Sequence, residues 1–142
     1  MIVSTKGRYA IRIMLDVAQY GGAGAVKIAD ISARQGITVK YAEQITSLLM
    51  KGGLLHSVRG AGGGYLLVKK PHEYRVSEIL RKTEGDLAPV ECVTGEECPR
   101  SRICSTKGLW TGLYRVINEY LEGITLQDLL DTAYDGADNY CI

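Results

Sequence analysis

Long apolar runs are missing from this chain of 142 residues. No stretch of 18 apolar residues occurs, so no membrane-spanning helix is expected. No leader pattern follows Met1, which makes the cytoplasm the expected location. Internal repeats and low-complexity segments are missing as well. Histidine is scarce, with two in the chain, and no nucleophile–base pair or pair of acids stands out. Covalent and acid–base catalysis need such pairs, so no enzyme is expected. Cysteine is also scarce, but three of the four fall between Cys92 and Cys104, with five residues between each neighbouring pair. In a reducing compartment such a cluster points to metal or redox chemistry rather than to a structural disulfide.

What is present is ordinary in bulk: 46% hydrophobic and 23% charged, enough for one good core or a core with an oligomerising extension. The charge is unevenly placed. Residues 1–70 carry ten Lys/Arg against three Asp/Glu, and residues 71–142 carry seven against thirteen, so a net charge of +1 hides a basic half and an acidic half. That division fits a polyanion-binding module joined to one that must stay off the polyanion.

The basic half reads as three helices and a hairpin. Ser4 or Thr5 can cap a first helix, dense in apolar residues from Tyr9 to Tyr20 and ended by Gly21-Gly22-Ala23-Gly24. Lys6, Arg8 and Arg12 cluster near its start. A short helix from Ile28 to Gln35 stops at Gly36, and Thr38 caps another with Ala42, Ile45, Leu48 and Leu49 on its inner face. Two short helices joined by a tight glycine-containing turn match the helix-turn-helix, although such pairs also occur as plain packing units. In that motif the second helix enters the major groove. Its leading residues here are Thr38, Lys40, Tyr41, Glu43 and Gln44, which include chemically suitable base readers. Leu54–Val58 and Tyr65–Val68 then read as the strands of a hairpin around Arg59-Gly60-Ala61-Gly62-Gly63-Gly64. A hairpin in this place is the wing of a winged helix, and Arg59 at the base of its glycine-rich tip can enter a narrow minor groove. A nucleotide-binding glycine loop fits poorly, because no Gly-Lys-Ser/Thr follows.

Ser77 is expected to cap a short helix through Lys82. The cysteine loop follows, with Gly95 and Pro99 interrupting regular structure. After it, Leu109, Trp110, Leu113, Val116, Ile117, Tyr120 and Leu121 recur at spacings of three and four, one apolar face on a helix of about sixteen residues. Self-association through that face is the favoured reading; packing on its own domain is the alternative. Thr125-Leu126-Gln127-Asp128 resembles a capping box and opens a last short helix. The tail from Asp135 to Ile142 is acidic, and its Cys141 reads as incidental. The expected architecture is mainly α with a small β-hairpin wing, a winged helix-turn-helix plus a long dimerisation helix. Residues 1–85 form the DNA-binding region, 86–106 the cysteine loop, 107–122 the dimerisation helix, and 123–142 the last helix and tail.

Thiolates are soft donors that select iron–sulfur clusters, Zn²⁺ or Cu(I). Two gaps of five residues are wide for a structural zinc site, and a thiol redox switch is a third possibility. Arg100 and Arg102 can offset the charge of a thiolate-bound cluster. With three cysteines, one donor is still required, and the candidates are Glu43, His56, Glu91, Glu96, Glu97 and Cys141. Glu43 is preferred, because a ligand on the recognition helix would tie metal occupancy directly to DNA reading.

Four motifs together resemble the IscR-type iron–sulfur cluster regulators, in a superfamily of bacterial winged-helix repressors that also holds NsrR and CymR. They are Ser4-Thr5-Lys6-Gly7-Arg8-Tyr9-Ala10, Tyr41-x-Glu43-Gln44, Val58-Arg59-Gly60-x-Gly62-Gly63-Gly64-Tyr65 and the cysteine triplet. The resemblance spans essentially the whole chain. It implies a homodimer on double-stranded DNA, a 2Fe–2S cluster on Cys92, Cys98 and Cys104, and control of iron–sulfur assembly genes. By the same resemblance Tyr41, Glu43 and Gln44 approach base edges, Arg59 enters the minor groove, and Ser4, Thr5 and Lys6 lie near phosphates. The chain departs from the family in carrying Lys107 where a histidine ligand follows the third cysteine, and Thr38 and Lys40 where serines are usual. Its ending is similar to that of CymR, which lacks the cysteine triplet. Two other functions remain open: a nitric-oxide-sensing repressor of the NsrR type, and a small cluster-binding redox or metal-delivery protein. The former would gain from a ligand on the first helix, where Arg8 is an unsuitable donor; the latter leaves the basic half and wing without purpose.

Overall fold

The computed structural model describes residues 3–95 and 97–135. Glu96, Cys141 and the rest of the tail from 136 to 142, all weighed above, lie outside the described residues. Helix α1 (Thr5–Tyr20) starts where the Ser4 Oγ accepts a hydrogen bond from the Gly7 amide at 3.3 Å. It buries Ala10, Ile13, Met14 and Val17 and ends in a short 3₁₀ turn at Gly21–Ala23. Helix α2 (Ile28–Gln35) closes at Gly36, whose φ of 66° is the left-handed conformation that glycine adopts without Cβ strain. Ser32 Oγ donates to the Ile37 carbonyl and fixes the turn. Helix α3 (Val39–Lys51) begins as the Thr38 hydroxyl accepts from the Tyr41 amide at 3.1 Å. Its inner face is Ala42, Ile45, Thr46 and Leu49. Leu48, expected there, is only half-buried, and Thr46 takes the inner position by donating its hydroxyl proton to the Glu43 carbonyl.

The wing is an antiparallel pair, β1 (Leu55–Val58) on β2 (Gly64–Leu67), with Leu55 opposite Leu67 and Val58 opposite Gly64. The loop before α2 adds to it: Val26 and Tyr65 exchange both backbone hydrogen bonds at 2.9 and 2.8 Å. This contact explains Gly64, where a Cβ would come within 2.3 Å of the Val26 carbonyl oxygen. The fully buried Tyr74 ties the base of the wing to the core. Its hydroxyl donates to the Leu54 carbonyl at 2.8 Å and accepts from the amides of Val68 and Lys69 at 2.8 and 3.0 Å.

Helix α4 (Val76–Glu84) follows. Ser77 does not cap it. Arg75 stands at the cap, and Ser77 is buried in the first turn because Val76 is already held by the Ile124 carbonyl. Helix α5 (Lys107–Glu122) docks on α4: Ile117 and Leu121 pack against Val76, Leu80 and Leu87, and Arg81 reaches Asn118 and Glu122. Helix α6 (Leu126–Asp135) opens with a reciprocal box, the Asp128 carboxylate accepting from the Thr125 amide at 2.8 Å and the Thr125 hydroxyl accepting from the Asp128 amide at 3.0 Å. Leu126 then enters the same core as α1, α3 and Tyr74, so α6 packs back on the helix-turn-helix head. Among the described residues, no helix is long and apolar enough to cross a membrane.

Candidate nucleic-acid interface and cysteine site

The outer face of α3 is polar along its length. Lys40, Gln44, Ser47 and Lys51 follow one another at spacings of four, three and four, and with Glu43, Leu48 and Lys6 they line one shallow surface. Lys40, Glu43 and Gln44 are exposed. Tyr41 is half-buried, its ring edge-on to Tyr9 at 5.9 Å between centroids, so packing fixes its position. Of the three residues at the start of α1, Thr5 and Lys6 are exposed. Ser4 gives its hydroxyl proton to Glu84 Oε1 at 2.5 Å, and its amide donates to the same oxygen at 3.0 Å. Its one donor hydrogen is therefore committed inside the fold. Arg59 is exposed at the wing tip. Arg12 is exposed, but its guanidinium donates to Gln35 and stacks over Tyr9. Nearby, the buried Asp16 carboxylate accepts from Arg34 Nε and Nη2, at 2.9 and 2.7 Å, and from the Gln35 side-chain amide at 2.9 Å, which locks α2 against α1.

The cysteine loop is held at its start by Leu87, which is buried, and by the Asp86 carboxylate, which accepts from the Tyr114 hydroxyl at 2.9 Å. It then runs through short turns to the amino-terminal end of α5. Cys92, Cys98 and Cys104 are all free thiols, half-buried, and together with Ser101 and Lys107 they line one small cleft. Among the described residues, no three His, Cys, Asp or Glu side chains converge closely enough to hold a single metal ion. A two-iron cluster spreads its protein donors over two metal atoms, so sulfurs around one cleft fit it better than they fit one ion. The Thr106 hydroxyl lies 3.3 Å from Cys104 Sγ. That hydrogen bond and the one from the Thr106 amide hold the Cys104 thiol below its ordinary pKa against the opposing effect of burial, with smaller help from the Lys107 amide and the Arg100 cation.

The structure does not bring Glu43 to this cleft. Its carboxylate belongs to the α3 surface with Lys6 and Lys40, and α3 packs on α1, α2, α4 and β1. His56 is on a wing strand, exposed, and Glu91 lines no part of the cleft. Glu97 lines a wider, outer depression beside Cys92 and Cys98.

A family model described as Rrf2, iron-dependent transcriptional regulator, matches residues 3–132. The chain belongs to the Rrf2 family. It is a DNA-binding regulator of transcription and not an enzyme. The regulator IscR of Pectobacterium atrosepticum is 43% identical over 131 residues, covering 92% of this chain and 80% of that protein. A helix-turn-helix regulator of Neisseria meningitidis is 38% identical over 136 residues, covering 96% and 92%. Among solved structures, T. potens IscR matches with a TM-score of 0.80 and 37% identity over 99% of this chain and 94% of that one. CymR, the global cysteine regulator of B. subtilis, matches with a TM-score of 0.76 and 36% identity over 92% and 97%. The winged-helix architecture and the likeness to IscR read from the four motifs thus stand.

Several residues of this Rrf2 regulator's two surfaces went unnoticed in the sequence. Ser47 and Lys51 complete the stripe begun by Lys40 and Gln44, and their helical spacing was a readable signal. Ser101 and Thr106 join the cysteines only through turns that place position 101 over the cleft and position 106 beside Cys104, for which the sequence carries no periodic mark.

Proposed function

We propose that this Rrf2 regulator senses iron–sulfur status through a 2Fe–2S cluster held by Cys92, Cys98 and Cys104, and that it acts in the cytoplasm as a homodimer on genes of iron–sulfur assembly. The observation that carries the reading is the shared cleft of the three thiols in a chain whose other half presents a basic helix-turn-helix face. When bound, the cluster supplies a redox- and oxygen-sensitive centre whose presence or absence can be read. The thiols hold it, and Arg100 and Arg102 offset its charge. Lys40, Gln44, Ser47, Lys51 and Lys6 face the duplex, with Tyr41, Glu43 and Gln44 nearest base edges, Thr5 near phosphate and Arg59 toward the minor groove. The apolar stripe of α5 forms the dimer seam.

Anaerobic purification with iron and sulfide quantitation and a visible spectrum tests the cofactor. The wild-type protein is expected to carry about two irons and two sulfides per chain, and Cys92→Ala to carry neither while remaining folded. An iron-free, sulfide-free wild type would sink the reading. Footprinting tests the wing: an Arg59→Ala protein that protects its operator as well as the wild type would rule Arg59 out of the groove.

A further inference from the structure

A 2Fe–2S cluster takes four protein donors, and three cysteines leave one position for another atom. Within the cysteine cleft the choice is narrow. Among the described residues, it is lined beyond the three thiols by Ser101 and Lys107. Ser101 lies midway between Cys98 and Cys104, and its amide donates to the Cys98 carbonyl at 2.9 Å, a turn that folds position 101 back over the cleft. Lys107 begins α5, its amide directed at the Cys104 carbonyl at 3.4 Å and its Nζ donating to Ser101 Oγ. An ammonium has three donor hydrogens and no lone pair, whereas a serine oxygen has two lone pairs, one of which stays free when the other accepts from lysine.

Resting on the reading that the three cysteines hold the cluster, we infer that Ser101 Oγ is its fourth ligand and that Lys107 is the positioning residue that orients this oxygen and offsets its charge. Coordination forms one iron–oxygen bond by lone-pair donation and releases the hydroxyl proton to water; no electron is transferred. The carboxylates do not compete well. Glu97 lines only the wider depression, which Cys92, Cys98, Ser101 and Lys107 share with the cleft and Cys104 does not, and Glu43 belongs to the α3 surface. An oxygen ligand is harder than sulfur or imidazole and favours the ferric state. The site is therefore harder to reduce than one completed by a fourth cysteine.

The test compares the full-length wild type with Ser101→Ala, Ser101→Cys, Lys107→Gln and Glu97→Ala, all purified anaerobically. Iron and sulfide content, the visible spectrum, the electron paramagnetic resonance g values after dithionite reduction and the rate of iron loss to a chelator are measured. Ser101→Ala is expected to lose the cluster or to hold it with shifted g values and iron loss about 10-fold faster or more. Ser101→Cys should restore occupancy, with absorption shifted to longer wavelength and a more readily reduced cluster. Lys107→Gln should retain the cluster but lose iron faster by about 10-fold, and Glu97→Ala should match the wild type. A Ser101→Ala protein with the wild type's spectrum, g values and chelator resistance overturns the assignment, as does loss of the cluster in Glu97→Ala with Ser101→Ala unaffected. Both results leave the cluster itself in place, provided Cys92→Ala lacks it. A wild type without iron and sulfide overturns the assignment and the parent reading together.

Discussion

The Tyr74 hydroxyl makes three hydrogen bonds from a fully buried position, one donated to Leu54 just before β1 and two accepted from the chain leaving the wing. Phenylalanine would fill the same volume and leave the buried Leu54 carbonyl without its donor, while the part-buried Val68 and Lys69 amides lie nearer solvent. An unpaired buried group costs about 1–3 kcal/mol, so Tyr74→Phe is expected to destabilise the protein by an amount of that order, seen as a fall in the urea midpoint with little change in slope. Cys104 offers a second residue-scale expectation. Its thiol, held below the ordinary value by Thr106, should be alkylated faster at neutral pH than Cys92 or Cys98 in metal-free protein. Thr106→Val should shrink that lead by removing the hydroxyl while the backbone amides stay; equal rates for all three thiols in the wild type would contradict it. Neither residue announces its role in the sequence. A lone tyrosine before a short helix looks like any other amphipathic residue until the wing folds over it.

At the scale of elements, the caps and periodicities carried most of the information. Ser4, Thr38 and Thr125-x-x-Asp128 mark the starts of α1, α3 and α6, because a side-chain oxygen near free amides is a local event that needs no tertiary partner. Ser77 carried the same local signal and misled. The backbone bridge to Ile124 starts α4 two residues earlier, a contact across more than forty residues that no local pattern encodes. The cysteine loop was legible in composition and illegible in shape, since turns put Ser101 rather than Glu43 beside the thiols. Two tests belong here. Lys51→Ala should weaken DNA binding nearly equally for all sequences and lower the steepness of its salt dependence by about one counterion; an unchanged slope would take Lys51 off the phosphates. Asp128 is held below the ordinary carboxylate range by the Thr125 amide and hydroxyl. Its folded pKa is lowered, so its contribution is complete above the ordinary carboxylate range and is lost as pH falls through the lowered value. The stability difference between wild type and Asp128→Asn should accordingly shrink as denaturation is followed from neutral pH into acid.

For the whole molecule, the decisive observation is what α5 leaves uncovered. Leu109, Leu113, Val116 and Tyr120 are 61, 40, 55 and 68% exposed in a single stripe, while Ile117 and Leu121 on the other side hold the helix to α4. Half of the alternative weighed for this helix is thus true, since it does pack on its own chain, and the remaining face suits a second copy. Val116→Glu should convert the protein to a monomer by sedimentation and weaken binding to a two-fold operator, with the fold kept by circular dichroism. A variant that still sediments as a dimer would place the seam elsewhere. The Ser4–Glu84 contact matters at the same scale. Glu84 is the last residue of α4, just before the cysteine loop, and Ser4 caps the helix whose next turn presents Lys6 to the α3 surface. A Cβ at Gly7 would come within 2.1 Å of the same carboxylate oxygen, so the fold keeps that place open for one side chain. Thermodynamic linkage makes such a junction run in both directions: whatever factor loading of the loop applies to operator affinity, the operator applies to loading. With the proposed cluster in place, a regulator joined in this way would also be a buffer, each occupied operator altering how firmly its own loop holds iron.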